Sequence, residues 1–401
     1  MIRNQTAGEM EIRYHPNRNR APAPTEEALR AVPADLPTAV CRFHESLPGY
    51  RETPLVALKS LARRLGVQRL WVKDESARFD LKAFKVLGAS YAIAVTIAQE
   101  RGIDPADLTF DRILSTASAM RKPTFVTATD GNHGRAVAWT AEKLGCRAVV
   151  YLPDGSSRHR LEAIRRFGAE AALVDGNFDD AVRFAAEQAM ANGWVLMQDT
   201  AWPGYEAIPT AIMQGYTTLL SESYRQLADE RPTHLFVQAG VGSLAAALMA
   251  YICRFQTDPR PYFAVVEPAA AACFYRSAVI GDGKPHPVSG ALDTLMAGLA
   301  CGEPSRLAWA ILSRNADGFV VCPDRTAISG MRLLAEPAPG DAPLVSGESG
   351  AVTAGLVAEL LYSPVWKKTA RQMGLGPDSR ILVLSTEGDT DPELYRRIVD
   401  R

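Results

Sequence analysis

From Thr53 onward, short β-rich runs alternate with helical stretches almost to the end of the chain, and this rhythm leaves few architectures open. Leu70 to Lys73 precedes Phe84 to Gln99, Thr124 to Ala128 precedes Arg135 to Leu144, Ala148 to Leu152 precedes Arg158 to Phe167, and Ala171 to Val174 precedes Phe178 to Ala191. Farther on, Trp194 to Met197, His234 to Gln238 and Phe263 to Val266 lead into Ile208 to Leu227, Ser243 to Arg254 and Ala269 to Val279. Arg380 to Ser385 is a last strand before a short terminal helix. Strands joined by crossover helices form parallel sheets buried on both faces, and so many units exceed one sheet. The pattern predicts two α/β domains. Met1 to about Glu45, polar and Pro-containing, reads as an irregular arm, and Gly281 to Asp293 and Glu336 to Ser346 read as long loops.

Charge and apolar content narrow the function classes. The 44 Lys+Arg against 45 Asp+Glu give a formal net charge of -1, which speaks against a nucleic-acid partner. Membrane association is not expected either, because apolar runs such as Ala351 to Trp366 are short and interrupted by Glu359. The six cysteines are scattered with no C-x-x-C pair, so no metal site is expected, and a reducing, cytoplasmic setting is.

In open α/β sheets ligands sit at the carboxyl ends of the strands, so the loops there are the places to search. In KDESARFDLKAFKVLGASY a lysine, Lys85, stands at a helix start among Phe84, Val86 and Leu87. The helix dipole and apolar neighbours disfavour its charge there, and a lowered amine pKa is expected, as a Schiff-base lysine requires. Lys73 and Lys82 compete for that role. TATDGNHG, from Thr127 to Gly134, combines two glycines with Asp130, Asn132 and His133, and can hold a carboxylate and a polar ring substituent together. QAGVGSLA, from Gln238, is a glycine-rich turn entering a helix N-terminus and suits one compact phosphate; it lacks both the P-loop lysine and the third glycine of the dinucleotide fingerprint. Asp199, just past an apolar run, is a candidate general base.

Each feature alone has an ordinary structural explanation: a snorkelling lysine, an Asp-Gly-Asn turn, a packing glycine pair, a capping aspartate. A lysine, a polar clamp and a phosphate cradle, each after a strand, together describe a pyridoxal 5′-phosphate site.

Those segments, with FHESLPGYRETPL, MQDTAW, PGYEAIP, GLACGEPS, SGESGA and STEGDTDP, resemble the fold-type II pyridoxal-phosphate enzymes (serine/threonine dehydratases, cysteine synthases, tryptophan synthase β) and, among them, the diaminopropionate ammonia-lyase family. The resemblance runs from about Phe43 to Leu394. It implies two domains with the cofactor in the cleft between them: residues 1–90 with 189–401 as the large one, including an irregular arm at 1–45, and 91–188 as the small one carrying TATDGNHG. It implies that Lys85 forms the Schiff base, Asn132 bonds the ring oxygen, Gly240, Val241, Gly242 and Ser243 hold the phosphate, and Ser385 or Thr386 faces the pyridine nitrogen. Asp199 and Asp130 would be the bases for the L- and D-isomers of 2,3-diaminopropionate. Thr129, Asp130, Gly131, His133 and Glu348 would meet the substrate, with Glu387 and Asp389 as further anchors for a second ammonium. A small amino-acid substrate and a homodimer are implied. Cys273 and Cys301 are expected as free buried thiols. Asp80 and Lys82 depart from the family pattern, which has Gly and Asn there. A serine/threonine, D-serine or hydroxyaspartate dehydratase and a non-catalytic amino-acid-binding relative remain as alternatives.

Overall fold

The structure is a computed structural model that describes residues 11–256 and 258–400. Among these residues the strands form two sheets. We number them β1 (Arg13–Pro16), β2 (Leu55–Ala57), β3 (Arg69–Asp74), β4 (Thr124–Ala128), β5 (Arg147–Pro153), β6 (Glu170–Val174), β7 (Val195–Leu196), β8 (His234–Gln238), β9 (Tyr262–Pro268), β10 (Gly318–Cys322) and β11 (Arg380–Ser385). The larger sheet has seven strands in the order β1-β10-β9-β8-β11-β3-β2, and the smaller has four in the order β6-β5-β4-β7. The interior strands run parallel, and only the edge pairs β1/β10 and β2/β3 are antiparallel. Every residue of β8 and β10 is buried, as expected for strands covered by helices on both faces. Short antiparallel strands close the edges of the larger sheet, where long unpaired ones would invite aggregation.

Two expectations need correction. The described part of the N-terminal arm is ordered: β1 pairs with β10, and helices Glu26–Ala31 and Leu36–Glu45 follow. The second buries Val40, Cys41, Phe43 and His44, an apolar face that its polar surroundings obscure. Residues 1–10 lie outside the described residues. The single helix expected over Ile208 to Leu227 is two, Ala207–Gly215 and Thr217–Leu227, meeting at Tyr216. The two loops expected at 281–293 and 336–346 contain neither helix nor strand.

Two features hold Lys85 in place. Its helix, Lys85–Gln99, lies so close to Ala207–Gly215 that a Cβ on Gly215 would stand 2.3 Å from the Leu87 carbonyl oxygen. The loop before it is clamped by a buried ionic cluster. Arg78 pairs with Glu75 at 2.8 Å and with Glu222 at 2.7 Å, and Lys73 reaches Glu222 at 2.6 Å, all four side chains being fully buried. Lys73 is therefore committed to structure.

Candidate active site

The loops after β3, β4, β7, β8 and β11 converge on one cleft, lined among others by Lys85, Asp130, Asn132, His133, Asp199, Gly240 to Ser243 and Thr386. These residues come from segments spread over most of the chain, and the strand ends bring them together.

The Lys85 Nζ lies 2.5 Å from the Asp199 carboxylate. This overturns the expected lowered amine pKa. Burial does depress it, but Asp199, Tyr216 and Asp130 outweigh that effect, and the ammonium pKa stands above the ordinary lysine value. The pair is mutual: burial raises the Asp199 carboxyl, yet Lys85 carries it below its ordinary value. Among the described residues no cation pairs with Asp130 so closely, and burial leaves its pKa raised despite Arg160 and Lys85. The two candidate bases thus differ in proton affinity. Lys82 is half-exposed and paired with Asp389 at 2.7 Å, which accounts for that acid as well.

The TATDGNHG loop is shaped from within. Thr129 Oγ1 accepts hydrogen bonds from the Gly131 and Gly134 N–H groups, both at 2.9 Å, and so pins the turn from beneath. Gly131 takes φ +146°, open to glycine, and a Cβ there would touch the Arg160 side chain at 3.2 Å. Asn132 begins the next helix; its Oδ1 accepts from Arg135 at 2.9 Å and its Nδ2 donates to Glu387 at 2.5 Å. His133 meets the Met197 carbonyl through Nε2 at 2.7 Å, and burial keeps the ring neutral, so Nε2 is the protonated nitrogen. Glu348 stands behind the loop, paired with Arg160 at 2.9 Å.

The glycine turn precedes helix Ser243–Phe255, whose N-cap is Gly242 with no side-chain cap. Its first-turn N–H groups lack intrahelical partners and carry the positive end of the dipole. Gly242 has φ +92°, and a Cβ there would stand 2.2 Å from the Phe274 ring. Ser243 Oγ donates to the Asp199 carbonyl at 2.5 Å, joining the cradle to the Asp199 segment. Thr386 faces the cleft, whereas Ser385 is absent from its lining and its hydroxyl meets Ser346 Oγ at 2.8 Å. Cys301 lines the cleft and Cys273 is buried, both as free thiols.

Sequence reasoning did not single out Gln238, Arg135 or Arg160 as site residues, although Gln238 opens a quoted motif and Arg135 directly follows another. Gln238 lines the cleft with a buried Oε1 that has no partner among the described residues.

An uncapped N–H cradle, an amine, an amide donor and a cleft-facing hydroxyl match the phosphate, aldehyde, ring oxygen and ring nitrogen of pyridoxal phosphate, and together with the two sheets they define a fold-type II pyridoxal-phosphate enzyme. The family model described as pyridoxal-phosphate dependent enzyme matches residues 46–386. A diaminopropionate ammonia-lyase of Salmonella typhimurium is 48% identical over 97% of this chain and 98% of its own. The crystal structure of the Escherichia coli diaminopropionate ammonia-lyase in complex with D-serine superposes with a TM-score of 0.90 at 41% identity, covering 98% of this chain and 97% of that one. A second structure of the Escherichia coli enzyme, with an aminoacrylate-PLP azomethine reaction intermediate, gives 0.89 at 42% identity, covering 97% of each chain. The chain belongs to the diaminopropionate ammonia-lyase family of pyridoxal-phosphate enzymes.

Proposed function

We propose that the protein, a carbon–nitrogen lyase, converts 2,3-diaminopropionate and water to pyruvate and two molecules of ammonia, and that it accepts both the L- and the D-isomer. The observation that carries this reading is the pair of carboxylates, Asp130 and Asp199, lining the same cleft as Lys85. The cofactor, when bound, supplies an electron sink that acidifies the substrate α-proton. Asp199 removes that proton from the L-isomer and Asp130 from the D-isomer. Lys85 holds the cofactor, Asn132 its ring oxygen, Gly240 to Ser243 its phosphate and Thr386 its ring nitrogen.

Thr129, Gly131 and His133 hold the loop that meets the substrate carboxylate. Glu387 supplies negative charge toward a second ammonium, which a hydroxyl substrate lacks, while Glu348, its carboxyl pushed up to about 8 by burial and by Glu387, meets the substrate as a polar contact. Residues 91–188 act as the smaller lobe of the cleft. A cytoplasmic homodimer is the working form, a reading supported by the six free thiols and by the family. Among the described residues no helix is long and apolar enough to cross a membrane.

The test is to incubate the purified protein separately with L-diaminopropionate, D-diaminopropionate and serine and to follow pyruvate. Pyruvate from both diaminopropionate isomers supports the reading. None from either overturns it, and pyruvate from serine alone supports a dehydratase instead.

A further inference from the structure

Gln238 is the last residue of β8, separated from the glycine cradle by Ala239 alone, and its side chain is buried. Its Nε2 stands 3.0 Å from the Ser349 carbonyl oxygen, 3.0 Å from the Leu384 carbonyl oxygen and 3.0 Å from Thr386 Oγ1, with the Gly350 carbonyl at 3.4 Å. The orientation of this amide is therefore decided. Turned over, it would set Oε1 against backbone carbonyl oxygens, acceptor against acceptor.

An amide N–H can only donate, so Thr386 Oγ1 is the acceptor in the contact between them. The one hydrogen of the Thr386 hydroxyl must then point elsewhere, and Thr386 lines the cleft. The Thr386 carbonyl oxygen accepts from the Phe84 N–H at 3.2 Å, which holds the residue beside the start of the Lys85 helix.

From this geometry we infer that Gln238 is a positioning residue that fixes the Thr386 hydroxyl as a hydrogen-bond donor into the cleft and thereby keeps the ring nitrogen of bound pyridoxal phosphate unprotonated. The inference rests on the reading that this cofactor binds at Lys85. With its aldehyde at Lys85, its ring oxygen at Asn132 and its phosphate at Gly240 to Ser243, the ring nitrogen is the polar atom left for Thr386. A hydroxyl that donates needs a lone pair opposite it, and a protonated ring nitrogen has none. Protonation would set donor against donor in a buried site, an arrangement that costs the hydrogen bond and leaves polar groups unmet.

The experiment is nitrogen-15 NMR of the holoenzyme reconstituted with ring-labelled pyridoxal phosphate, beside its visible absorption. The wild-type resonance is expected in the neutral-pyridine range. In Gln238→Glu the side chain accepts from Thr386 and reverses the hydroxyl, so the resonance is expected to shift into the pyridinium range. Gln238→Met, which keeps the length and removes the donor, is expected to raise the pH at which the ring nitrogen titrates; this variant decides the matter should Gln238→Glu fail to fold. A wild-type pyridinium, or a titration in Gln238→Met identical to that of wild type, overturns the inference while leaving cofactor binding intact. A wild-type protein that stays colourless with pyridoxal phosphate overturns the underlying reading as well.

Discussion

Lys85 and Asp199 face each other at 2.5 Å although 114 residues separate them in the chain. Each supports the charge of the other in a buried site, and neither keeps its charge on the same terms alone.

Replacing Asp199 by Asn removes the partner that outweighs burial, so the Lys85 amine pKa is expected to fall toward neutrality. On the proposed roles, elimination from the L-isomer drops by about 10²- to 10⁴-fold, while the D-isomer retains the larger part of its rate. Isomer-specific pyruvate assays measure the second effect, and the pH dependence of reaction with an amine-selective reagent the first. Equal loss for both isomers would reassign the base.

The two acids also predict two pH profiles. A base works ionised, and the Asp130 carboxyl is held above its ordinary pKa whereas that of Asp199 lies below. As pH falls, D-isomer turnover should therefore fail first, with L-isomer turnover persisting to lower pH. Plots of kcat/KM against pH for each isomer check the order of the two acid limbs.

Glu222 anchors both Lys73 and Arg78 in a cluster that solvent does not reach. Glu222→Gln leaves two buried cations short of a counter-charge and is expected to destabilise the protein by about 3–5 kcal/mol, read from denaturant unfolding. The Glu222 pKa stands at about 2: burial raises it, but Arg78 and Lys73 more than offset that and lower it from the ordinary 4.5. A carboxyl depressed in the folded state stabilises it above the unfolded value, and that contribution is lost as pH falls from about 4.5 to about 2. Wild type should lose stability across that window, and Glu222→Gln should lose less.

Phe79, Asp80 and Lys82 all hold left-handed backbone, with φ of 50°, 56° and 55°. That conformation suits Gly and Asn, the residue types of the family pattern at the latter two positions. Asp80 is exposed and its ion pair with Arg51 is long, at 3.7 Å, so little is lost with its side chain. Asp80→Gly is expected to stabilise by roughly 0.5–1 kcal/mol, visible as a rise in Tm.

At Gly242 the same conformational argument runs the other way. With φ +92° and the Phe274 ring 2.2 Å from any added Cβ, Gly242→Ala must move the turn that opens the cradle. Affinity of the apoprotein for pyridoxal phosphate should fall about tenfold or more, measured by absorbance titration.

The parallel strands were legible because burial on both faces forces continuous apolar runs, as in LFVQ of β8 and ILVLS of β11. β10, GFVVC, carries the same kind of apolar run but was passed over, since a short run without periodicity does not by itself separate a strand from a buried helix segment. The arm looked irregular because its order comes from distant partners: Tyr14 Oη meets Tyr262 Oη at 3.0 Å across 248 residues. The cleft residues showed in their motifs, but the charge state of Lys85 did not. Its sign depends on Asp199, and chain order says nothing about which acid folds against which amine. Gln238 was likewise visible only as a letter beside two glycines; its donors acquire meaning from the carbonyls of Ser349 and Leu384.

The larger sheet also works as a ruler. β8, β11 and β3 are neighbours in parallel register, and they deliver the glycine cradle, Thr386 and the loop that leads to Lys85. Neighbouring strands lie about 4.8 Å apart, so the outer two of the three are roughly 10 Å apart, the length of one aromatic ring with a phosphate on a short arm. Insertions in the loops can change what sits beside that ring, while the hydrogen-bonded spacing of the three strands keeps its anchoring points a fixed distance apart.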